Sequence, residues 1–295
     1  MIDAGLETTT YRPLTGARAA LRRSWRILST SRDLAIGLVL TALLAMVLLF
    51  PGLLAGHPPN DIDPSRALLA PSAQHWFGTD EIGRDVFSRV IWGTRVTLGM
   101  VSVALAIPAL IGFVLGLVAG FVGGPIDNLV SRTVDLILSF PSMITAVIIT
   151  GILGPGLRNG VLALCIVYIP MFYRVARSAT MTEANLSYVE AARSLGVRDA
   201  TTMFKHVSRN IVGQLVIQFT VLFPAAIQIA AALGYLGLGV QPPTPDWGAI
   251  LNQGKNYLFN APWISVFPGL SIVVAALGLT LLGRGLQNIL DPRGR

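Results

Sequence analysis

Six apolar runs divide the chain, separated by polar stretches of unequal character. The first charge-free run, Leu34 to Gly56, exceeds the roughly 20 residues that a helix needs to cross a hydrocarbon core. Others lie in 96–126, in 136–157 with Pro141 near its start, in 211–238 and in 263–283. The remaining run, Asn159 to Tyr173, has only 15 residues. As a helix it reaches roughly 22 Å, short of a core near 30 Å. Extension through 176–181, with the Arg174 and Arg177 head groups drawn to the interface, lets it cross. The pattern predicts an all-α integral membrane fold with six transmembrane helices.

Charge asymmetry supports the short run. With all six runs crossing and the N-terminal segment 1–33 inside, 16 Lys and Arg residues face the cytoplasm and 6 face outward. Basic residues favour the inner side, and deleting the fourth run reverses the bias. Both termini are therefore expected in the cytoplasm. The expected divisions are the segment 1–33, the first helix at 34–56, an outer loop at 57–95 and a five-helix domain at 96–283. Within that domain lie an inner loop at 182–210 and a Pro-rich outer loop at 239–262, followed by a tail at 284–295. Tyr235, Tyr257 and Trp263 are interface-type aromatics at the ends of the last two runs. A cleaved signal peptide would carry an apolar core of about 7–15 residues and a small-x-small site, so an uncleaved first span is expected.

Composition agrees: 53% of the 295 residues are apolar and 13% charged, with a mean hydropathy of +0.65. That leaves too little charge to clothe a soluble surface. The net charge of +7 is scattered rather than gathered in one stripe, which argues for lipid and against nucleic acid as the partner. The single cysteine, Cys165, excludes an internal disulfide and reads as a small packing residue. Gly112, Gly116 and Gly120 repeat every fourth residue in the second run, a face on which another helix can approach closely.

The polar island 187–210, SYVEAARSLGVRDATTMFKHVSRN, differs from every other loop. Tyr188, Ala191, Ala192 and Leu195 share one helical face, and Ala200, Met203, Phe204 and Val207 another. Two short amphipathic helices broken at Gly196 are expected, with Ser187 and Glu190 at capping-box spacing. Such helices are marginal alone, so they lie on a membrane surface or dock in a partner's groove, with Met203 and Phe204 as buried anchors.

Glu190-Ala191-Ala192, three residues, then Gly196 resembles the EAA motif of permease subunits of ATP-binding-cassette importers. HWFGTD at 75–80, GRDVFSR at 83–89, GLGVQPPTPDWG at 237–248 and Leu290-Asp291-Pro292-Arg293 resemble the C-type permease of dipeptide and oligopeptide importers. The resemblance runs from about Leu34 to the C-terminus. It implies a type I importer permease in the bacterial inner membrane, with 182–210 as a cytoplasmic coupling-helix pair. Tyr188, Glu190, Ala191, Ala192, Leu195, Gly196, Met203 and Phe204 would then sit in a cleft of an ATPase subunit. It further implies a second homologous permease, two ATPase subunits carrying ATP and Mg, an extracytoplasmic substrate-binding protein, and dipeptides or oligopeptides as cargo. Related permeases carry nickel, haem or other small solutes. Ser208 and Arg209 stand where the family continues with Leu-Pro, so the second helix is expected to end differently.

The chain has no phosphate-binding loop of its own. Its nearest approach, 248–256, has one residue too many between its glycines and Asn256 where a hydroxyl belongs. No bound cofactor and no catalysis are expected, and ATP hydrolysis falls to partners. No ionisable residue sits centrally in any expected span, which disfavours an ion-coupled carrier. Asp127 and Asp135 are placed near the inner side of the third span. In the outer loop, Asp80, Arg84 and Asp85 with Gly78 and Gly83 read first as a turn held by ion pairs. Together with Asp246 and Trp247 they read alternatively as an outer gate or a binding-protein contact. His57 and His75 beside Asp61 and Asp63 fit no standard ligand spacing, so no metal site is expected.

Overall fold

A computed structural model of the chain describes residues 32–290, which form helices and loops without a β-strand. The basic segment up to residue 31, and Asp291–Arg295 with Arg293 and Arg295, lie outside the described residues. Among the described residues, five helices are long and apolar enough to cross a membrane, and a sharply bent pair makes a sixth span if counted as one.

Helix α1 (Arg32–Leu49) stops at Phe50, ahead of a single turn at Pro51–Leu54, so the first span is shorter than the apolar run suggests. Helix α2 (Val86–Val122) starts ten residues before the expected span. The reason is local: the Asp85 carboxylate accepts from the Ser88 amide at 2.7 Å and caps the helix within the predicted loop. At 37 residues it is about 55 Å long, more than the roughly 40–45 Å of a bilayer with its interfaces.

The third span departs most from expectation. An amphipathic helix α3 (Gly124–Leu138) and an apolar helix α4 (Ser142–Leu153) meet at 88°. Pro141 lacks the N–H that a continuing helix needs and forces Phe140 out of helical geometry, so the chain turns there. With 12 residues, α4 reaches only about 18 Å. Helix α5 (Leu157–Ala184) resolves the short fourth run, because it continues through Arg174 and Arg177 for 28 residues. Helix α6 (Ser187–Ser194) is the first half of the polar island. The second half is not a separate short helix. It is the start of α7 (Asp199–Tyr235), which runs unbroken for 37 residues and contains a π-helical segment at Thr202–Val207. The Ser208-Arg209 departure therefore ends nothing: Ser208 donates back to the Phe204 carbonyl at 2.6 Å within the continuous helix. Helices α8 (Trp247–Gly254) and α9 (Trp263–Leu290) are the last among the described residues.

Helices α2 and α5 form the most extensive pair, and the core contains both with α7 and α9. The glycine row makes this pairing close. A Cβ on Gly112 would stand 2.6 Å from the Phe172 Cβ, on Gly116 2.6 Å from the Ala176 Cβ, and on Gly120 2.8 Å from the Arg177 carbonyl. In a bilayer, where lipid is as apolar as leucine, such contact supplies packing that hydrophobicity cannot. Helix α1 packs on α9 in the same way. A Cβ on Gly278 would stand 2.8 Å from the Leu40 Cβ and one on Gly285 2.6 Å from the Leu34 Cβ, and Gly37 lies against the backbone of Leu281 and Leu282. Cys165 is buried in the α5 core.

Candidate coupling hinge and outer cap

The ends of α2 carry two distinct constructions. At its C-terminal end, α6 is bounded by backbone chemistry. The Gly196 amide donates to the Arg193 carbonyl at 2.9 Å and the Val197 amide to the Ala192 carbonyl at 3.0 Å. This pair of bonds is a Schellman closure, and Gly196 supplies the left-handed φ of +74° that it needs. The expected capping box does not form: Leu186 is the N-cap, Ser187 is already inside the helix, and no side chain caps it.

The predicted stripe and the buried face differ. Val189 is fully buried, in a cluster with Leu117, Ala179, Met203, Val207 and Ile211. Tyr188, Glu190, Ala191 and Leu195 are exposed, Leu195 at 82%, and Ala192 is half-buried. Met203 is thus an anchor into this chain's own core and is unavailable to a partner, while Phe204 is 57% exposed. This is a correction: within the π-helical segment Met203 and Val207 face inward and Phe204 outward.

Three helices are pinned here by one carboxylate. Glu183 Oε1, at the end of α5, accepts from the Tyr188 hydroxyl at 2.9 Å and from Asn210 Nδ2 at 2.6 Å. Burial, then the bond to Glu183, raises the Tyr188 phenol above its ordinary range. The Arg193 guanidinium lies 5.3 Å over the Phe121 ring and pairs with Asp199 at 3.2 Å, joining α6 to α2 and α7. Nearby, Asp127 on α3 pairs with Arg177 on α5 and accepts from Tyr173, while Arg174 reaches Asp135 at 2.7 Å. Both aspartates therefore tie α3 to α5.

At the other end of α2 the outer loop and α8 form a cap. Asp80 accepts from Arg84 Nε at 2.6 Å and from the amides of Ile82 and Arg84, and Arg89 Nε stands 3.6 Å away. Gln253 of α8 accepts from Arg84 at 3.3 Å and Arg89 at 3.0 Å, closing the network across the fold. Gly83 has a φ of +82°, and a Cβ there would collide with the Asp63 carbonyl. The GLGVQPPTPDWG segment has its own logic. Trp247 is fully buried, with Nε1 donating to the Val90 carbonyl at 3.0 Å. Asp246 caps α8 by accepting from the Ala249 amide at 3.1 Å and takes the Thr97 hydroxyl at 2.7 Å. Burial pushes the Asp246 carboxyl above the usual carboxylate range, against the bonds from Thr97, Ala249 and Gly248. Gly248 allows the approach of α7, since a Cβ would meet the Ala231 carbonyl at 2.5 Å.

Asp80, Arg84, Asp85, Asp246 and Trp247 are all buried, so none presents its side chain to a binding protein in this conformation. They hold the cap together. Sequence reasoning missed Val189, Glu183, Thr97 and Gln253. Nothing local marks Thr97 or Gln253, whose partners are about 150 residues away in the chain.

Residues 112–295 match the family model described as binding-protein-dependent transport system inner membrane component. The chain belongs to that family. A dipeptide transport system permease protein of Alkalihalophilus pseudofirmus is 38% identical over 272 residues, 92% of this chain and 90% of the relative. A probable D,D-dipeptide transport system permease protein of Escherichia coli is 38% identical, covering 97% and 96%. A glutathione transport system permease protein of Pectobacterium atrosepticum is 37% identical, covering 94% and 92%. The chain is thus a multi-span, all-helical component of a bacterial inner membrane transport system.

Proposed function

We propose that the chain is one permease subunit of an ATP-driven peptide importer, with α6 as the element through which ATPase subunits act. The exposed apolar stripe of α6 carries this reading: Tyr188, Ala191 and Leu195 face outward from a helix held to α5 by the Tyr188–Glu183 bond, to α2 by Arg193 over Phe121 and to α7 by Arg193–Asp199. An eight-residue helix with an apolar face on each side has one face for its own core and one for a partner groove. Short peptides are the cargo that the names of the relatives support.

In this reading α6 lies in the cytoplasm and the α8 cap outside. A second permease completes the pathway, a binding protein delivers peptide to the cap, and partner subunits bind and hydrolyse ATP. Closure of the ATPases moves α6. Because Glu183, Arg193 and Val189 bind α6 to the ends of α5, α2 and α7, that displacement passes into the spans as a rigid-body rotation.

The test is uptake of a labelled dipeptide by proteoliposomes holding the chain with its partner permease, ATPases and binding protein. Uptake is expected only with hydrolysable ATP inside. Equal uptake without the ATPase subunits would overturn the reading.

A further inference from the structure

The fold assembles a group of donors that sequence spacing hides. His57, His75 and Asp85 each offer one ligand atom, and these atoms lie within 4.8 Å of one another. The two imidazole rings are 5.2 Å apart. His75 is buried, and its Nδ1 lies 2.8 Å from Asp85 Oδ1. With the proton on Nδ1 donated to the carboxylate, the lone pair of Nε2 is free. That Nε2 is buried and has no hydrogen-bond partner. A carboxylate that fixes a histidine tautomer and leaves the other nitrogen bare is the usual support of a metal-binding imidazole.

Two further features point the same way. His57 and His75 line one cavity of about 220 Å³ with Asp61, Asp63, Asp85 and Arg66, so three carboxylates stand there against one guanidinium, which pairs with Asp63 at 2.9 Å. The Asp85 carboxylate is itself held, since Oδ2 accepts from the Ser88 amide at 2.7 Å. Ligands of a tetrahedral zinc ion stand roughly 3.4 Å apart at metal–nitrogen distances of about 2.0–2.1 Å. The present donors lie within 4.8 Å of one another, so binding would draw the widest pair together by up to about 1.4 Å.

We propose that His57, His75 and Asp85 form a binding site for a divalent transition metal ion of zinc type at the cap end of the protein. The two imidazoles are the nitrogen ligands, Asp85 supplies the adjacent negative charge and orients His75, and water fills the remaining positions. Two imidazole nitrogens suit zinc and its neighbours better than calcium or magnesium, which favour oxygen. The ion would fasten the chain just after α1 to the loop that caps α2.

The full chain, purified in detergent by a tag without histidines and stripped of metal, is titrated with Co²⁺ and then Zn²⁺. One Co²⁺ per chain, with the visible absorption of a low-coordinate ion and displacement by Zn²⁺, is expected. His57→Ala should weaken binding at least tenfold to a hundredfold while leaving the melting temperature without metal unchanged. His206→Ala, which alters the one other histidine, should bind as the parent chain does. Absence of stoichiometric binding, or equal affinity in His57→Ala, would overturn the site. His57→Ala carries the test even if His75→Ala fails to fold.

Discussion

Asn210 Nδ2 donates to Glu183 Oε1 at 2.6 Å, across 27 residues of chain, and this bond ties the start of the α7 span to the end of α5. The residues between them form α6, its turn and the first turns of α7. The bond therefore closes a ring around the proposed ATPase contact. Asn210→Ala or Glu183→Ala removes a charge-assisted hydrogen bond at an exposed position, a loss of about 1 kcal/mol. Uptake per ATP hydrolysed should fall several-fold while insertion is retained. Measuring both rates in proteoliposomes checks this, and an unchanged ratio counts against the ring as a transmitter.

The α6 surface separates docking from folding. Leu195 is 82% exposed, so Leu195→Arg should alter chain stability by no more than about 0.5 kcal/mol. Copurification with the ATPase subunits should drop sharply. Glu190→Arg with Ala192→Arg should act in the same direction. Gly196 has open space around it, so substitution there strains only the backbone. Gly196→Ala should cost about 1–2 kcal/mol, and Gly196→Pro should abolish coupling.

Gly116 tests the α2–α5 contact. Gly116→Ala places a Cβ 2.6 Å from that of Ala176, an overlap that no rotamer relieves. A loss of about 1–3 kcal/mol is expected, and Gly116→Leu should prevent assembly. Gly99→Ala, at a site with nothing within 4 Å, is the control and should be near neutral. Thermal unfolding in detergent, followed by aggregation or fluorescence, distinguishes them.

Trp247 locks the cap. Trp247→Ala vacates a fully buried site and leaves the Val90 carbonyl without its indole donor, for a loss of about 3–5 kcal/mol. Trp247→Phe retains most of the volume and should cost less. Limited proteolysis of the 239–262 loop reports whether the cap has opened.

Asp246 gives the cap a pH dependence of known sign. Burial raises its folded-state pKa above the ordinary 3.8. The folded protein then holds this proton more tightly than the unfolded one. The resulting stability is fully present below the unfolded value and is lost as pH rises through the folded value. Asp246→Asn should remove that slope. Melting temperatures of parent and variant across acid to neutral pH show whether the two curves converge at high or low pH, and a slope shared by both would exclude Asp246 as its source.

Much of the architecture is written locally. Apolar runs select helices that cross a membrane, because an unpaired backbone group costs several kcal/mol in hydrocarbon. The short 159–173 run could be assigned from charge asymmetry alone, and α5 has the length that assignment needs. Family membership was legible from scattered motifs, even though their side chains meet only in the fold.

Other features depended on contacts that no local window contains. Pro141 marked a break, but the size of the turn, 88° between α3 and α4, could not be read from it. The periodicity of 200–207 fits a helix, yet not that the helix would fuse with the following span or carry a π-helical turn that buries Met203 and exposes Phe204. In α6 the periodic stripe and the buried residue, Val189, proved to be different faces. His57 and His75, 18 positions apart, come together with Asp85 only when the loop folds. By itself the sequence determined that the long apolar runs are helical, since that follows from short-range periodicity and transfer energy, but not that helices begin at Val86 and Trp247 inside the expected loops. Tertiary structure decided which face of each helix is covered and which polar groups meet, because those outcomes depend on partners tens to hundreds of residues away.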